Sequence, residues 1–188
     1  MFTYQKLLLY PVHVTKPDPK LASFILGQYC GPDGDFYSAT KYLSQRYTMP
    51  FPEATALLTD IGLEELDHME IMGTLLYQLT HNLSEDEIRA CPNEAFFTQQ
   101  PMSAMQSPWR AGFMESTSSA MAILTDNLAS EQRAHLAFEN ILRVSEHEEV
   151  NRVIRFLRER EIVHFQRFGE CLRLLQERKK PQTPYLLP

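Results

Sequence analysis

Two Glu-x-x-His motifs constrain the fold of this chain more than any other feature. The first is Glu65 and His68, and the second is Glu161 and His164. Residues three apart lie one turn apart on the same face of an α-helix. Apolar residues continue that face on both sides of each motif: Leu58, Ile61, Met72, Leu75 and Leu79 around the first, and Val150, Ile154, Leu157, Phe168, Cys171 and Leu175 around the second. On each helix, a carboxylate and an imidazole therefore occupy positions where a core would have Leu or Ile.

Two further carboxylates follow the same rule. The apolar face of another predicted helix contains Met121, Leu124, Leu128, Glu131, His135, Phe138 and Leu142. We interpret His135 as a core histidine near the site rather than as a ligand. Asp35 stands at the head of a further helix, with Ala39 and Tyr42 after it on the same face. A buried Tyr42 ring needs a hydrogen-bond partner for its hydroxyl, so we expect it to act beside the ligands.

The pattern predicts an all-α four-helix bundle with a long crossover connection and an extended N-terminal arm. We expect one domain over residues 1–188, with an arm at 1–16, the bundle at 19–180 and a tail at 181–188. The arm would cover the bundle or a neighbouring subunit. The predicted helices run from Pro19 to about Tyr29, Asp35 to about Tyr47, Pro52 to Thr80, Trp109 to Val144 and Glu146 to Arg178. Ser84 to Glu87 form a capping box that predicts one short helix within the connection.

Charge and hydropathy argue against several classes of partner. The net charge is −6, and no basic cluster precedes Arg178-Lys179-Lys180, so we expect no nucleic-acid partner. No apolar run approaches the ~20 residues of a membrane span. The run Leu7-Leu8-Leu9-Tyr10 is too short for a signal peptide's core, and the three cysteines form no Cys-x-x-Cys pair. We therefore expect an intracellular protein.

Burying four carboxylates would cost several kcal/mol each unless cations compensate them. The four are Asp35, Glu65, Glu131 and Glu161, and no Lys or Arg occupies the same faces. Two divalent cations would cancel their charge, with His68 and His164 as neutral nitrogen donors. Carboxylates from four helices with two Glu-x-x-His motifs are typical of dinuclear carboxylate bundle sites. This donor set suits manganese or iron and does not choose between them.

Four segments carry a resemblance to a known family. They are Gly31-Pro32-Asp33-Gly34-Asp35, Thr59-Asp60-Ile61-Gly62-Leu63-Glu64-Glu65-Leu66-Asp67-His68, Leu128-Ala129-Ser130-Glu131 and Arg158-Glu159-Arg160-Glu161-Ile162-Val163-His164. In these the chain resembles the manganese catalases, and most of all their short branch, the spore-coat catalase-like proteins of spore-forming bacteria. The resemblance extends over nearly the whole chain.

The resemblance implies a ferritin-like bundle that converts hydrogen peroxide to water and oxygen at two manganese ions, without haem. Its ligands would be Asp35, Glu65, His68, Glu131 and His164. Glu161 would manage protons, and Tyr42 matches the family's tyrosine beside the first ligand. The resemblance also implies a homo-oligomer, with other spore-coat proteins as further partners, located in the cytoplasm or the spore coat.

The chain departs from the family at one ligand, because Asp35 stands where the family has Glu. A side chain shorter by one methylene holds its metal less well, so we expect reduced activity. Two alternatives remain open on the same fold. One is a structural spore-coat protein with a vestigial metal site, and the other is a di-iron oxidase or peroxidase of the rubrerythrin type.

Overall fold

Four long helical segments lie side by side, and each contributes to one shared core. The structure is a computed structural model that describes residues 3, 7–89 and 119–179. Within those ranges the helices are α1 (Pro19–Cys30), α2 (Asp35–Gln45), α3 (Pro52–Thr80), α4 (Glu85–Arg89), α5 (Ala120–Val144) and α6 (Glu148–Lys179), with a 3-10 turn at Arg46–Thr48. The all-α prediction is confirmed.

The segments α1 and α2 together fill one position of the bundle. Both pack along α3, while α5 packs along α6. The backbone N–H of Asp18 donates to the carbonyl of Leu79 at 2.9 Å, which places the start of α1 beside the end of α3. Farther along, Gly62 of α3 lies so close to α2 that an added Cβ would be 2.8 Å from Leu43 Cγ. The pair α1–α2 therefore runs antiparallel to α3 as an interrupted helix.

Local sequence explains where two of the helices begin. The side chain of Asp18 accepts a hydrogen bond from the Leu21 N–H at 2.9 Å, and Pro19 occupies the first turn of α1. At α4, the Ser84 N–H donates to Glu87 Oε2 at 2.8 Å, and the Glu87 N–H donates to Ser84 Oγ at 3.3 Å. These reciprocal bonds are the predicted capping box, and the short helix predicted there is confirmed.

The predicted start of the long helix that ends at Val144 is wrong. This helix begins at Ala120, and Ser119 caps it by accepting a hydrogen bond from the Ala122 N–H at 3.4 Å. An N-cap residue has extended rather than helical dihedrals, so the helix does not continue through Ser119. Trp109 itself, most of the crossover connection and the tail at 181–188 lie outside the described residues.

The N-terminal arm covers its own bundle over residues 7–16. Gln78 of α3 fixes it at two points, since the Val14 N–H donates to Gln78 Oε1 at 2.7 Å and Gln78 Nε2 donates to the Val12 carbonyl at 3.2 Å. The ring of Tyr10 stacks on Phe156 with centroids 4.5 Å apart. Of the two predicted locations for the arm, the structure shows the one on the same chain.

A layer of polar side chains divides the core into two apolar clusters. One cluster includes Ile25, Ile71, Leu75, Phe138 and Leu157, and the other includes Leu58, Ile61, Leu124, Phe168 and Leu175. On α3 one cluster ends at Ile61 and the other begins at Ile71, and Glu65 and His68 lie between them. The fold therefore buries the polar positions that interrupt the apolar faces. Among the described helices, none combines the length and the apolar character that crossing a membrane requires.

Candidate metal centre

The residues predicted to form the site converge in the polar layer. Asp35 comes from the first residue of α2, Glu65 and His68 from α3, Glu131 from α5, and Glu161 and His164 from α6. Each side chain is at most 2% exposed. Each motif on α3 and α6 is flanked by apolar residues that bury its face, so the fold carries its carboxylate and imidazole inward.

Four of these residues form a tight group. Glu65, His68, Glu161 and His164 each offer one ligand atom, and the four atoms lie within 4.8 Å of one another. His68 Nδ1 is 3.5 Å from Glu161 Oε1 and 3.6 Å from Glu65 Oε2. His164 Nδ1 is 2.9 Å from Glu65 Oε1 and 3.5 Å from an oxygen of Glu131. The Nδ1 atoms of both imidazoles therefore face the carboxylates.

Asp35 lies beside this group and outside the set of four. Its neighbour Gly34 packs so closely on α1 that an added Cβ would be 2.4 Å from the carbonyl oxygen of Gln28. The buried Gln28 side chain hydrogen-bonds to Asp35 and donates to the Asp33 carbonyl at 3.2 Å. The turn between α1 and α2 thus fixes the start of α2 and the position of the Asp35 carboxylate.

Tyr42 contacts the site through Glu131. Its hydroxyl donates a hydrogen bond to Glu131 Oε1, and its ring packs edge-on against Phe168 with centroids 5.0 Å apart. Burial raises the pKa of Tyr42 well above its usual value, and the charges of Glu131 and Glu65 raise it further. Tyr42 is therefore a phenol that donates to Glu131 and orients it.

The ionisable groups of the site differ in the charge that the fold favours on each. Burial and repulsion from Glu65 raise the pKa values of Asp35 and Glu161 well above the usual range. Burial also opposes ionisation of Glu65, but the adjacent imidazoles of His164 and His68 outweigh it and lower its pKa to about 2. Burial lowers the pKa values of both histidines, yet their carboxylate partners raise them well above 6.5. The fold therefore favours protons on the two imidazoles and on Asp35 and Glu161, and a negative charge on Glu65.

The unpartnered atoms of the site fit a cation that both carboxylates and imidazoles could share. Within residues 7–89 and 119–179, the buried atoms without a hydrogen-bond partner include Asp35 Oδ2, Glu65 Oε1, Glu131 Oε2, Glu161 Oε1 and the Nδ1 atoms of His68 and His164. No Lys or Arg in those ranges forms an ion pair with these carboxylates. Ligand atoms at about 2.1 Å from one octahedral cation lie about 3 Å apart, close to the nitrogen–oxygen separations found here. The arrangement can therefore hold divalent metal ions.

Two features of the site differ from the sequence interpretation. His135 is partly exposed, and Ala134 takes the buried position on α5 instead, so the interpretation of His135 as a core histidine is wrong. Glu64 was not singled out, although one of its oxygens lies 3.3 Å from His164 Nε2. The sequence signal that could have found it is a pair of opposite charges. Glu64 stands immediately before the first motif, and Arg160 stands immediately before the second.

Comparison with known proteins places this geometry in context. The family model described as manganese containing catalase matches residues 1–188. Protein CotJC of Bacillus subtilis is 35% identical over 184 residues, covering 95% of this chain and 97% of CotJC. A probable manganese catalase of Clostridium acetobutylicum is 33% identical and covers 92% of this chain and 80% of that protein.

A solved structure shares the fold. The crystal structure of KatB, a manganese catalase from Anabaena, superposes with a TM-score of 0.81 at 24% sequence identity. The match covers 100% of this chain and 87% of the KatB chain. Manganese catalase structures are ferritin-like helical bundles, and the predicted ferritin-like architecture is confirmed.

Proposed function

This chain belongs to the manganese-containing catalase family, and on that premise we propose that it converts hydrogen peroxide to water and oxygen at a pair of manganese ions. The observation that carries the proposal is the buried group of unpartnered carboxylate and imidazole atoms drawn from four helices. Atoms of this kind are costly to bury without a cation.

The metal-holding residues in this proposal are those implied by the resemblance: Asp35, Glu65, His68, Glu131 and His164. When bound, two manganese ions supply two-electron redox chemistry, which turns two peroxide molecules into two waters and one oxygen molecule. The chain holds the ions between helices whose positions are fixed by the apolar clusters above and below. Those clusters also limit the access of bulk water to the polar layer.

Glu161 is suited to hold a proton beside the reacting peroxide. Its side chain is buried, and its Oε1 has no hydrogen-bond partner among the described residues. Burial and the nearby negative charge of Glu65 raise its pKa, so it keeps a proton where an ordinary carboxyl group would lose it. A carboxyl group with a raised pKa can give a proton and regain it during turnover. Tyr42 complements it by fixing the orientation of Glu131.

A structural role in the spore coat is the second candidate function. One observation favours it, namely Asp35 at the position where the resemblance implies Glu. In this alternative the metal site serves stability, and other coat proteins are the partners. For either function we propose a homo-oligomer located in the cytoplasm or the spore coat.

Oxygen release from hydrogen peroxide tests the proposal. The metal-free protein is reconstituted with Mn²⁺, its metal content is measured, and oxygen release is followed with an electrode. Glu65→Ala serves as the blank, because Glu65 contacts both imidazoles. We expect release by the native protein and none by the variant.

Two results would redirect the proposal. Mn²⁺ bound at two ions per chain without oxygen release would reject the catalase function and favour the coat role. Turnover that requires Fe²⁺ rather than Mn²⁺ would favour the di-iron oxidase or peroxidase alternative.

A further inference from the structure

The residues that precede the two motifs contact each other across the bundle. Glu64 stands immediately before Glu65 on α3, and Arg160 stands immediately before Glu161 on α6. Arg160 Nε donates to Glu64 Oε1 at 2.5 Å, and its Nη2 donates to Glu64 Oε2 at 3.1 Å. The two N–H groups of one guanidinium thus hold both oxygens of one carboxylate, which is the most directional form of ion pair.

The same carboxylate faces both histidines of the site. Glu64 Oε2 lies 3.3 Å from His164 Nε2, and Glu64 Oε1 lies 3.6 Å from His68 Nε2. The two imidazole rings are stacked at 20° with centroids 5.4 Å apart, and the Nε2 atoms of both lie near this one carboxylate. Each ring therefore has its Nδ1 toward the candidate metal ligands and its Nε2 toward Glu64.

We propose that Glu64, held by Arg160, is a positioning residue shared by both histidines of the metal centre. This inference rests on the proposed dinuclear site. A neutral imidazole carries one N–H, so a ring that binds metal through Nδ1 must carry its hydrogen on Nε2. A carboxylate facing Nε2 accepts that hydrogen and fixes both the tautomer and the orientation of the ring. One carboxylate does this for two rings here.

The ion pair also explains why Glu64 is not another ligand. The carboxylates inside the site have no Lys or Arg partner among the described residues, whereas Arg160 neutralises Glu64. Arg160 is 32% exposed and Glu64 is 16% exposed, so the pair lies between the buried imidazoles and the solvent. Its charge is balanced whether metal is bound or absent, as a fixed support for both histidines requires.

Glu64→Gln separates this role from general packing. Gln has nearly the same shape, but its amide has one accepting oxygen, and its NH₂ group can only donate. It can accept an Nε2–H from one imidazole and must present a donor to the other. Glu159→Gln is the matched control, because it makes the same chemical change at an exposed position next to Arg160.

The test measures Mn²⁺ affinity by calorimetry, with folding of each variant checked by circular dichroism. We expect Glu64→Gln to bind Mn²⁺ about 10- to 100-fold more weakly than Glu159→Gln, the usual cost of losing such a partner. A second readout uses protein loaded with Zn²⁺, which is diamagnetic and redox-inactive. In its ¹H–¹⁵N spectrum, the native protein should show two slowly exchanging imidazole Nε2–H signals, and Glu64→Gln should lose at least one.

Arg160→Lys provides a second variant if Glu64→Gln does not fold. Lys keeps the positive charge but cannot hold both oxygens at once, so we expect weaker Mn²⁺ binding in the same direction. The inference is overturned if the folded variants match Glu159→Gln in Mn²⁺ affinity and retain both N–H signals. Absence of oxygen release by metal-loaded native protein would instead reject the catalase function and leave these readouts unaffected.

Discussion

The carboxylate of Asp35 reaches less far than a glutamate carboxylate at this position would. The close approach of Gly34 to the Gln28 carbonyl brings the start of α2 toward α1, but it does not place Asp35 within the group of four. The hydrogen bond from Gln28 also holds the Asp35 carboxylate on the α1 side of the site. The substitution therefore affects one edge of the centre and leaves the two Glu-x-x-His motifs intact.

Asp35→Glu should strengthen metal binding at that edge. We expect the second Mn²⁺ to bind about tenfold more tightly, in line with the sensitivity of metal sites to ligand placement, and oxygen release to rise with it. The added methylene must fit a packed core, so the metal-free variant should lose about 1–3 kcal/mol of stability. Calorimetric titration and an oxygen electrode measure these effects, with Asp86→Glu on exposed α4 as the control. Unchanged affinity and turnover would show that Asp35 is an adequate ligand.

Tyr42→Phe should destabilise the metal-free protein. It removes the hydroxyl that donates to Glu131 and leaves a buried carboxylate oxygen without that donor. Loss of a hydrogen bond to a buried charged acceptor costs about 1–3 kcal/mol. Urea denaturation of the metal-free variant measures the change, and Tyr77→Phe is the control because Tyr77 is 63% exposed. Equal unfolding free energies for the two variants would contradict the assigned contact.

At the level of elements, end signals and apolar spacing predicted much of the fold. Pro19, Pro52 and the capping box at Ser84 each mark a helix start that the structure shows. The face of α5 was predicted less well. Residues three and four after Glu131 lie on either side of it, because each residue turns the helix by about 100°. Sequence spacing alone could not decide between Ala134 and His135, and the fold buries Ala134.

The contacts that support the site could not be predicted from the sequence either. Glu64 and Arg160 lie on different helices, and their meeting depends on the rotation of α3 relative to α6. Periodicity identifies the buried carboxylates because they interrupt an apolar face. A half-buried charged residue beside them interrupts nothing, so the same signal does not reveal it.

Gly34→Ala should disturb the junction of α1 and α2. The new Cβ would be 2.4 Å from the Gln28 carbonyl oxygen, so the backbone must move. We expect a loss of about 1–3 kcal/mol in unfolding free energy, together with weaker Mn²⁺ binding because Asp35 follows directly. Gly27→Ala is the control, since nothing lies within 4 Å of its added Cβ. That change should stabilise α1 by about 0.5–1 kcal/mol. Similar denaturation midpoints for the two variants would argue against a fixed junction.

On the scale of the whole molecule, the fold couples stability to the protons that the polar layer binds. It raises the pKa values of His68, His164, Asp35 and Glu161, so at these groups the folded chain binds more protons than the unfolded chain. Stability from these groups is therefore fully present at low pH and is lost as pH rises through their folded-state values. Glu65 has the opposite sign, and its contribution is lost only as pH falls toward about 2.

Metal should reverse this pH dependence. Mn²⁺ requires neutral imidazoles and ionised carboxylates, so binding must release the protons that the metal-free site holds. We expect Mn²⁺ affinity to fall as pH falls, with more than one proton released per chain on binding. Calorimetry in buffers of different ionisation enthalpy counts the protons. As pH rises, the metal-free protein should lose stability while the metal-loaded protein gains it. The reason is that the same atoms exchange protons for cations. Affinity that is independent of both pH and buffer would place the metal elsewhere in the chain.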